Sequence, residues 1–153
     1  MPLRIRRATV KDADAIAAVF SSSYRLLTFL PSLHTPAEDR RFIENVILMQ
    51  SEVLLAEDAS GIVSFLALQG EELRLLYTRP DRIGEGAGTR LIEAAMASGV
   101  AALELWCFQA NTRARVFYEA RGFRAVRFTD GAHNEERTPD MRYRWERSAD
   151  QSA

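Results

Sequence analysis

Three glycines at alternate positions, Gly84-Glu85-Gly86-Ala87-Gly88, run straight into a helix-forming stretch, and no other feature restricts the fold as strongly. Glycine reaches dihedral angles closed to other residues and lets backbone approach a ligand closely. Successive N–H groups then form a nest for an anion, and the N-terminus of the following helix adds partial positive charge. The expected ligand is a phosphate or pyrophosphate. Arg82 beside the loop and Arg90 within the helix are candidates to add charge. The plain alternative is a flexible turn that merely joins strand to helix.

Two familiar phosphate loops can be laid on this segment. A Walker loop needs a lysine after its last glycine, and here Thr89 and Arg90 follow Gly88. A dinucleotide fingerprint spaces its glycines G-x-G-x-x-G inside a βαβ unit, whereas this chain has G-x-G-x-G. Glu104 stands at a plausible distance for a ribose-binding acid, which keeps that reading open locally.

The elements before the loop argue against it. Leu3-Arg4-Ile5-Arg6 alternates as a half-buried strand. Thr9 reads as an N-cap with Asp12 three residues on, and Ile16, Val19, Phe20, Tyr24 and Leu27 recur at helical spacing. Pro31 is expected to end that helix. Thr35-Pro36-Ala37-Glu38 opens a second helix with a capping box and proline at its first position. Residues 53–56, 62–68 and 73–78, joined by short turns, form an antiparallel meander. After the loop come a helix over 89–98, a buried strand over 101–107, a helix from Asn111 ended by Gly122, and strands over 123–128 and 141–145. The order β-α-α-β-β-β-α-β-α-β-β predicts an α/β fold of the α+β type. It has a mixed, mostly antiparallel sheet of about seven strands with helices on both faces.

A chain of 153 residues suits one domain, here residues 1–153 with a frayed tail from about 148. The formal net charge of -1 gives no reason to expect nucleic acid as a partner. No stretch approaches the length of a membrane span, and the N-terminus lacks the apolar core of a signal peptide. The single cysteine, Cys107, can form no internal disulfide and no paired-cysteine metal site. The expectation is a cytoplasmic protein without a metal, its oligomeric state open, with a homodimer as one option.

The segment Leu76 to Ile92 resembles the acetyl-CoA motif of the GNAT acetyltransferases, Q/R-x-x-G-x-G/A. Its glycines fall on Gly86 and Gly88, and Gly84 matches a further common glycine. The opening Gln or Arg falls on Ile83, a departure that removes one polar anchor. A second segment, Asn111 to Phe123, is similar to the family's N-x-x-A-x-x-F-Y-E-x-x-G-F stretch. A third site departs: Val63-Ser64-Phe65 stands where a glycine is common. The resemblance implies a V-shaped splay between the fourth and fifth strands that admits acetyl-CoA. It implies cofactor contacts from Leu76, Tyr77, Thr78, Arg82, Ile83, Gly84, Glu85, Gly86, Ala87, Gly88, Thr89, Asn111 and Arg115. Asn111 would meet the pantetheine arm, and Tyr118 would lie near the sulfur.

The implied activity is transfer of an acetyl group from acetyl-CoA to a primary amine of a small molecule or peptide, by direct attack. A non-catalytic acyl-CoA-binding or regulatory module on the same fold is the alternative. Amide formation requires an unprotonated amine, a stabilised oxyanion and a protonated leaving thiolate. Tyr118 is the candidate general acid, a phenol of ordinary pKa about 10 facing a thiol of about 8.5. Its plain reading is a core tyrosine beside Phe117. The oxyanion donor is expected among the N–H groups of Leu76 to Thr78, by analogy with the family. Glu72 or Glu71 at the start of that strand, or His34 in the connection after the first helix, are candidate bases. Their plain readings are a solvated strand end and an exposed loop. Cys107, Trp106 and Phe108 read as packing residues. Acceptor recognition is assigned to Phe29–Thr35 and Asp130–Pro139.

Overall fold

The structure, a computed structural model, describes residues 2–148. The residues of the expected tail beyond 148 lie outside it. Seven strands form one sheet: β1 (Arg4–Arg7), β2 (Glu52–Asp58), β3 (Gly61–Gln69), β4 (Glu72–Thr78), β5 (Ala102–Phe108), β6 (Arg124–Phe128) and β7 (Asp140–Glu146). Their spatial order is β1-β2-β3-β4-β5-β7-β6, and every pair is antiparallel except β4 with β5.

Helix starts follow the caps that the sequence announces. A 3-10 turn at Val10–Asp12 begins on a capping box between Thr9 and Asp12, and α1 (Ala13–Tyr24) continues it. Thr35 and Glu38 form a second capping box at the head of α2 (Pro36–Phe42), which runs on through a π-helical turn (Ile43–Ile47) into the short α3 (Leu48–Gln50). The first helix ends sooner than expected. Residues 25–30 leave α1 in successive turns, with Leu26 N–H bonded to Ser23 O and Leu30 N–H to Leu27 O. The apolar spacing at Leu27 therefore serves a cleft wall rather than a helix stripe.

Two cores lie on opposite faces of the sheet. Ile16, Phe20, Ile43 and Ile47 pack with Ile62, Phe65 and Ala67 on one face. On the other, Leu91, Ile92 and Ala95 of α4 (Ala87–Met96) pack with Val63, Leu66 and Leu68. Strict alternation would put Val63 and Phe65 on the same face. The β2–β3 register skips a residue there, since Ala56 faces Ser64 but Glu57 faces Ile62. A bulge of this kind leaves one residue unpaired and resets which face follows. The departure at Ser64 has its own compensation. The fully buried hydroxyl donates to Tyr77 O at 2.7 Å and lies 3.0 Å from Thr78 Oγ1, fastening β3 to the end of β4.

The two halves of the sheet meet along β4 and β5, and that seam closes at one end only. The strands share a single registered pair, Glu72 with Glu104, reinforced by Glu104 N–H to Glu71 O at 2.8 Å. Beyond it they diverge, and the opening is the cleft described next.

Candidate functional site

The cleft has a volume of about 950 Å³, within the usual range for a small-molecule or cofactor site. Its walls are the C-terminal half of β4, the glycine loop with the first turn of α4, the cleft edge of α5 (Thr112–Glu119), and the chain leaving α1.

Arg79 N–H bonds to Val63 O on β3, so alternate residues of β4 face β3. The intervening residues face away, as Thr78 O does in accepting from Ser23 Oγ at 2.7 Å. The N–H groups of Leu76 and Thr78 therefore point into the opening, where β5 no longer pairs with β4.

Gly86 is the N-cap of α4 at φ 93°, a left-handed conformation that glycine adopts freely. No side chain caps this helix, so its first N–H groups are left for a ligand. Gly88 is used differently. A Cβ there would sit 3.6 Å from the Phe117 ring and 3.8 Å from Thr78 Oγ1, so glycine keeps open the slot between α4, β4 and α5. Ile83, Gly84, Ala87 and Thr89 complete this end. An anion nest and a slot of this size fit the pyrophosphate and pantetheine of acetyl-CoA.

Asn111 lines the cleft and also caps α5, accepting from Ala114 N–H at 3.3 Å. Tyr118 lies about two turns further on, 8% exposed, its ring edge-on to Phe117 and Phe123. Its hydroxyl has no protein partner among the described residues, yet it is not sealed away as a buried unsatisfied atom. Burial, with small contributions from Cys107 and Tyr77, pushes its pKa well above that of a free phenol.

Other expected site residues lie elsewhere. Glu72 is held by Arg142 through both carboxylate oxygens, one at 2.8 Å, at the closed end of the seam. At about 3.3 Å per residue it is roughly 13 Å along β4 from Leu76. His34 pairs with Glu135 at 2.6 Å and sits 3.8 Å from Glu38, outside the cleft wall. Burial works against its charge, but the pull of Glu135, Glu38 and Asp39 prevails and raises its pKa. Arg82 reaches the cleft, but Asp58 and Glu85 occupy its guanidinium, each at 2.7 Å. Glu85 itself is not on the cleft wall. Arg115 faces Gln109 O and Glu119, and Arg90 donates to Leu3 O at 2.6 Å. Among the described residues, the cleft wall contains no carboxylate and no imidazole.

The two stretches assigned to acceptor recognition come together. His34 meets Glu135, and Tyr24 donates to Glu136 at 3.0 Å, so the chain after α1 is tied to the β6–β7 loop. Phe29 packs edge-on against Phe108 at 6.0 Å across the open end of the seam. Arg113 and Arg121 were missed as cleft residues. The available signal was their i, i+4, i+8 spacing with Phe117 along α5.

Comparison with known proteins agrees with this geometry. The family model described as an acetyltransferase (GNAT) domain matches residues 49–125, half of the chain. An uncharacterised N-acetyltransferase of Archaeoglobus fulgidus is 29% identical over 139 residues, covering 80% of this chain and 93% of that protein. The fold matches apo YjaB from Escherichia coli with TM-score 0.76 at 23% identity, over 95% of this chain and 98% of the other. It also matches the PaiA N-acetyltransferase from Thermoplasma acidophilum, solved with coenzyme A, with TM-score 0.76 at 18% identity over 96% and 100%. The chain belongs to the GNAT acetyltransferase family and is an acetyl-CoA-dependent N-acetyltransferase.

Proposed function

We propose that the chain acetylates a primary amine of a small molecule or peptide by direct attack, with Tyr118 as general acid and the Leu76 and Thr78 N–H groups as oxyanion donors. One observation carries the assignment. A buried tyrosine whose hydroxyl has no protein partner borders the same opening as two strand N–H groups left without a neighbouring strand.

Bound acetyl-CoA supplies a thioester carbonyl for the amine to attack and a sulfur to leave. The nest at Gly86 to Thr89 holds the phosphate end, and the slot beside Gly88 directs the rest toward the seam. The β4 N–H groups are fixed in the sheet, so they need no reorganisation as negative charge develops on the carbonyl oxygen. The raised pKa keeps Tyr118 protonated near neutrality, and the same shift makes it a weaker acid toward the departing sulfur. Cys107 is not placed as a nucleophile. Burial pushes its thiol up to about 12, and it lies outside the cleft wall.

With no carboxylate or imidazole on the wall, the amine loses its proton to water. For a simple alkylamine, kcat/KM should rise with pH toward the amine's own pKa, about 10 for a lysine-like group, with no falling limb near neutrality. Thiol release from acetyl-CoA, followed across a panel of small amines and peptides from pH 6 to 10, tests both points. No amine-dependent thiol release would refute catalysis at this cleft. A bell centred near neutrality would place a protein base there after all.

A further inference from the structure

The phosphate end of the cleft lacks a free cation on its own loop. The positive charge of Arg82 is balanced by Asp58, whose side chain is nearly buried, and by Glu85. Ile83 contributes none. A pyrophosphate would meet N–H dipoles there, but no uncommitted charge from the segment that wraps it.

Arg121, just beyond α5, stands beside the same helix start. Its guanidinium lies 3.7 Å over the Phe117 ring. One terminal nitrogen donates to Phe117 O at 2.8 Å, and the other to Thr89 Oγ1 in the first turn of α4. No carboxylate pairs with it among the described residues. Its Nε is the only buried side-chain nitrogen or oxygen among the described residues that lacks a hydrogen-bond partner. A guanidinium does not deprotonate, so the site holds a permanent charge without a counter-ion. Leaving a donor buried and unpaired costs stability, and an unneutralised cation beside a positive helix terminus costs more. The cost of the unneutralised charge is offset when an anion binds.

We infer that Arg121 is the fixed cation of the phosphate cradle and acts on the pyrophosphate of CoA, an assignment that rests on the pyrophosphate lying at the start of α4. The stack on Phe117 and the bond to its carbonyl hold the guanidinium in place before the ligand arrives, so little side-chain freedom is lost on binding. The charge thus comes from the C-terminal end of α5, whereas the N–H groups come from α4.

Calorimetric titration of the whole chain with CoA and with dephospho-CoA, which lacks only the 3′-phosphate, tests this. Arg121→Met keeps the stem over Phe117 and removes the charge. At low salt its Kd should rise roughly 10–100-fold, by the same factor for both ligands, and the dependence of log Kd on log salt should become shallower. Arg90→Gln, next to the loop in sequence but turned to Leu3 O, should bind like the wild type. A Kd within twofold of wild type for Arg121→Met would overturn the inference. A loss seen with CoA but not with dephospho-CoA would also overturn it, by moving the contact to the 3′-phosphate. Should the methionine variant fail to fold, Arg121→Lys keeps charge but loses the paired donors. A Kd raised several-fold with the salt dependence retained supports the inference, and an unchanged Kd overturns it. Failure of the wild-type chain to bind CoA would count against the cofactor site itself, and so is distinguishable.

Discussion

The two ends of the β4–β5 seam are built from the same pair of strands and have opposite chemistry. At the closed end, Arg142 lies between Glu72 and Glu104, with 2.8 and 2.9 Å contacts, and Arg144 reaches Glu104 and Glu146. The charges there are all paired, and the strands are in register. At the open end, Leu76 and Thr78 present N–H groups to the cleft, Tyr118 has no partner for its hydroxyl, and no ionised acid lines the wall. On the proposed reading, satisfied polar groups mark where the sheet is fastened, and unsatisfied ones mark where it works. Residues of one strand, Glu72 and Thr78, thus have unrelated surroundings.

The largest effect should come from the open end. Tyr118→Phe removes one hydroxyl and preserves the ring contacts with Phe117 and Phe123. Turnover should fall by roughly 10²–10⁴ with Kd for CoA nearly unchanged, as expected for a group acting in the transition state. Steady-state rates alongside calorimetry separate the two quantities. A turnover within twofold of wild type would reduce Tyr118 to a packing residue.

A smaller effect is expected at the loop. Gly86→Ala forces a side chain into the left-handed region, a cost of roughly 1–2 kcal/mol. Space is not the obstacle, since nothing lies within 4 Å of the added Cβ. If that strain falls on the ligand-ready loop, Kd for CoA should rise about 5–30-fold while the melting temperature changes little. A stable, tight-binding variant would show that the nest does not need this backbone angle.

The smallest effect tests the closed end. Glu72→Gln leaves Arg142 with Glu104 and touches nothing in the cleft. Partly exposed pairs contribute up to about 1 kcal/mol, so the melting temperature should drop by roughly 2–4 °C. Turnover should stay within twofold. A large loss of turnover with unchanged CoA affinity would restore Glu72 as the base and erase the contrast between the ends.

Much of this was legible locally. Capping boxes at Thr9 and Thr35 act within four residues, so the sequence shows them directly. The glycine loop, Asn111 and Tyr118 were legible because each belongs to a contiguous motif. What escaped depends on distant partners. Glu72 reads as a solvated acid until Arg142, 70 positions later, is placed beside it. Arg82 reads as a phosphate ligand until the β2–β3 turn delivers Asp58, 24 positions earlier. Arg121 shows only helical spacing with Phe117 until Thr89, 32 positions earlier, meets it. The end of α1 was misplaced for a related reason. Leu27 keeps helical spacing with the core residues, but its apolar surface faces the cleft.

The central claim, that one end of this seam binds acetyl-CoA and the other only fastens the sheet, can be read residue by residue. Backbone amide NMR spectra of the uniformly labelled chain, titrated with CoA, report each N–H separately. The account predicts large shifts at Leu76, Thr78 and the amides of Gly86 to Thr89, with Glu72 and Glu104 nearly still. Shifts centred on Glu72, Glu104 and Arg142, with the loop amides unmoved, would contradict it.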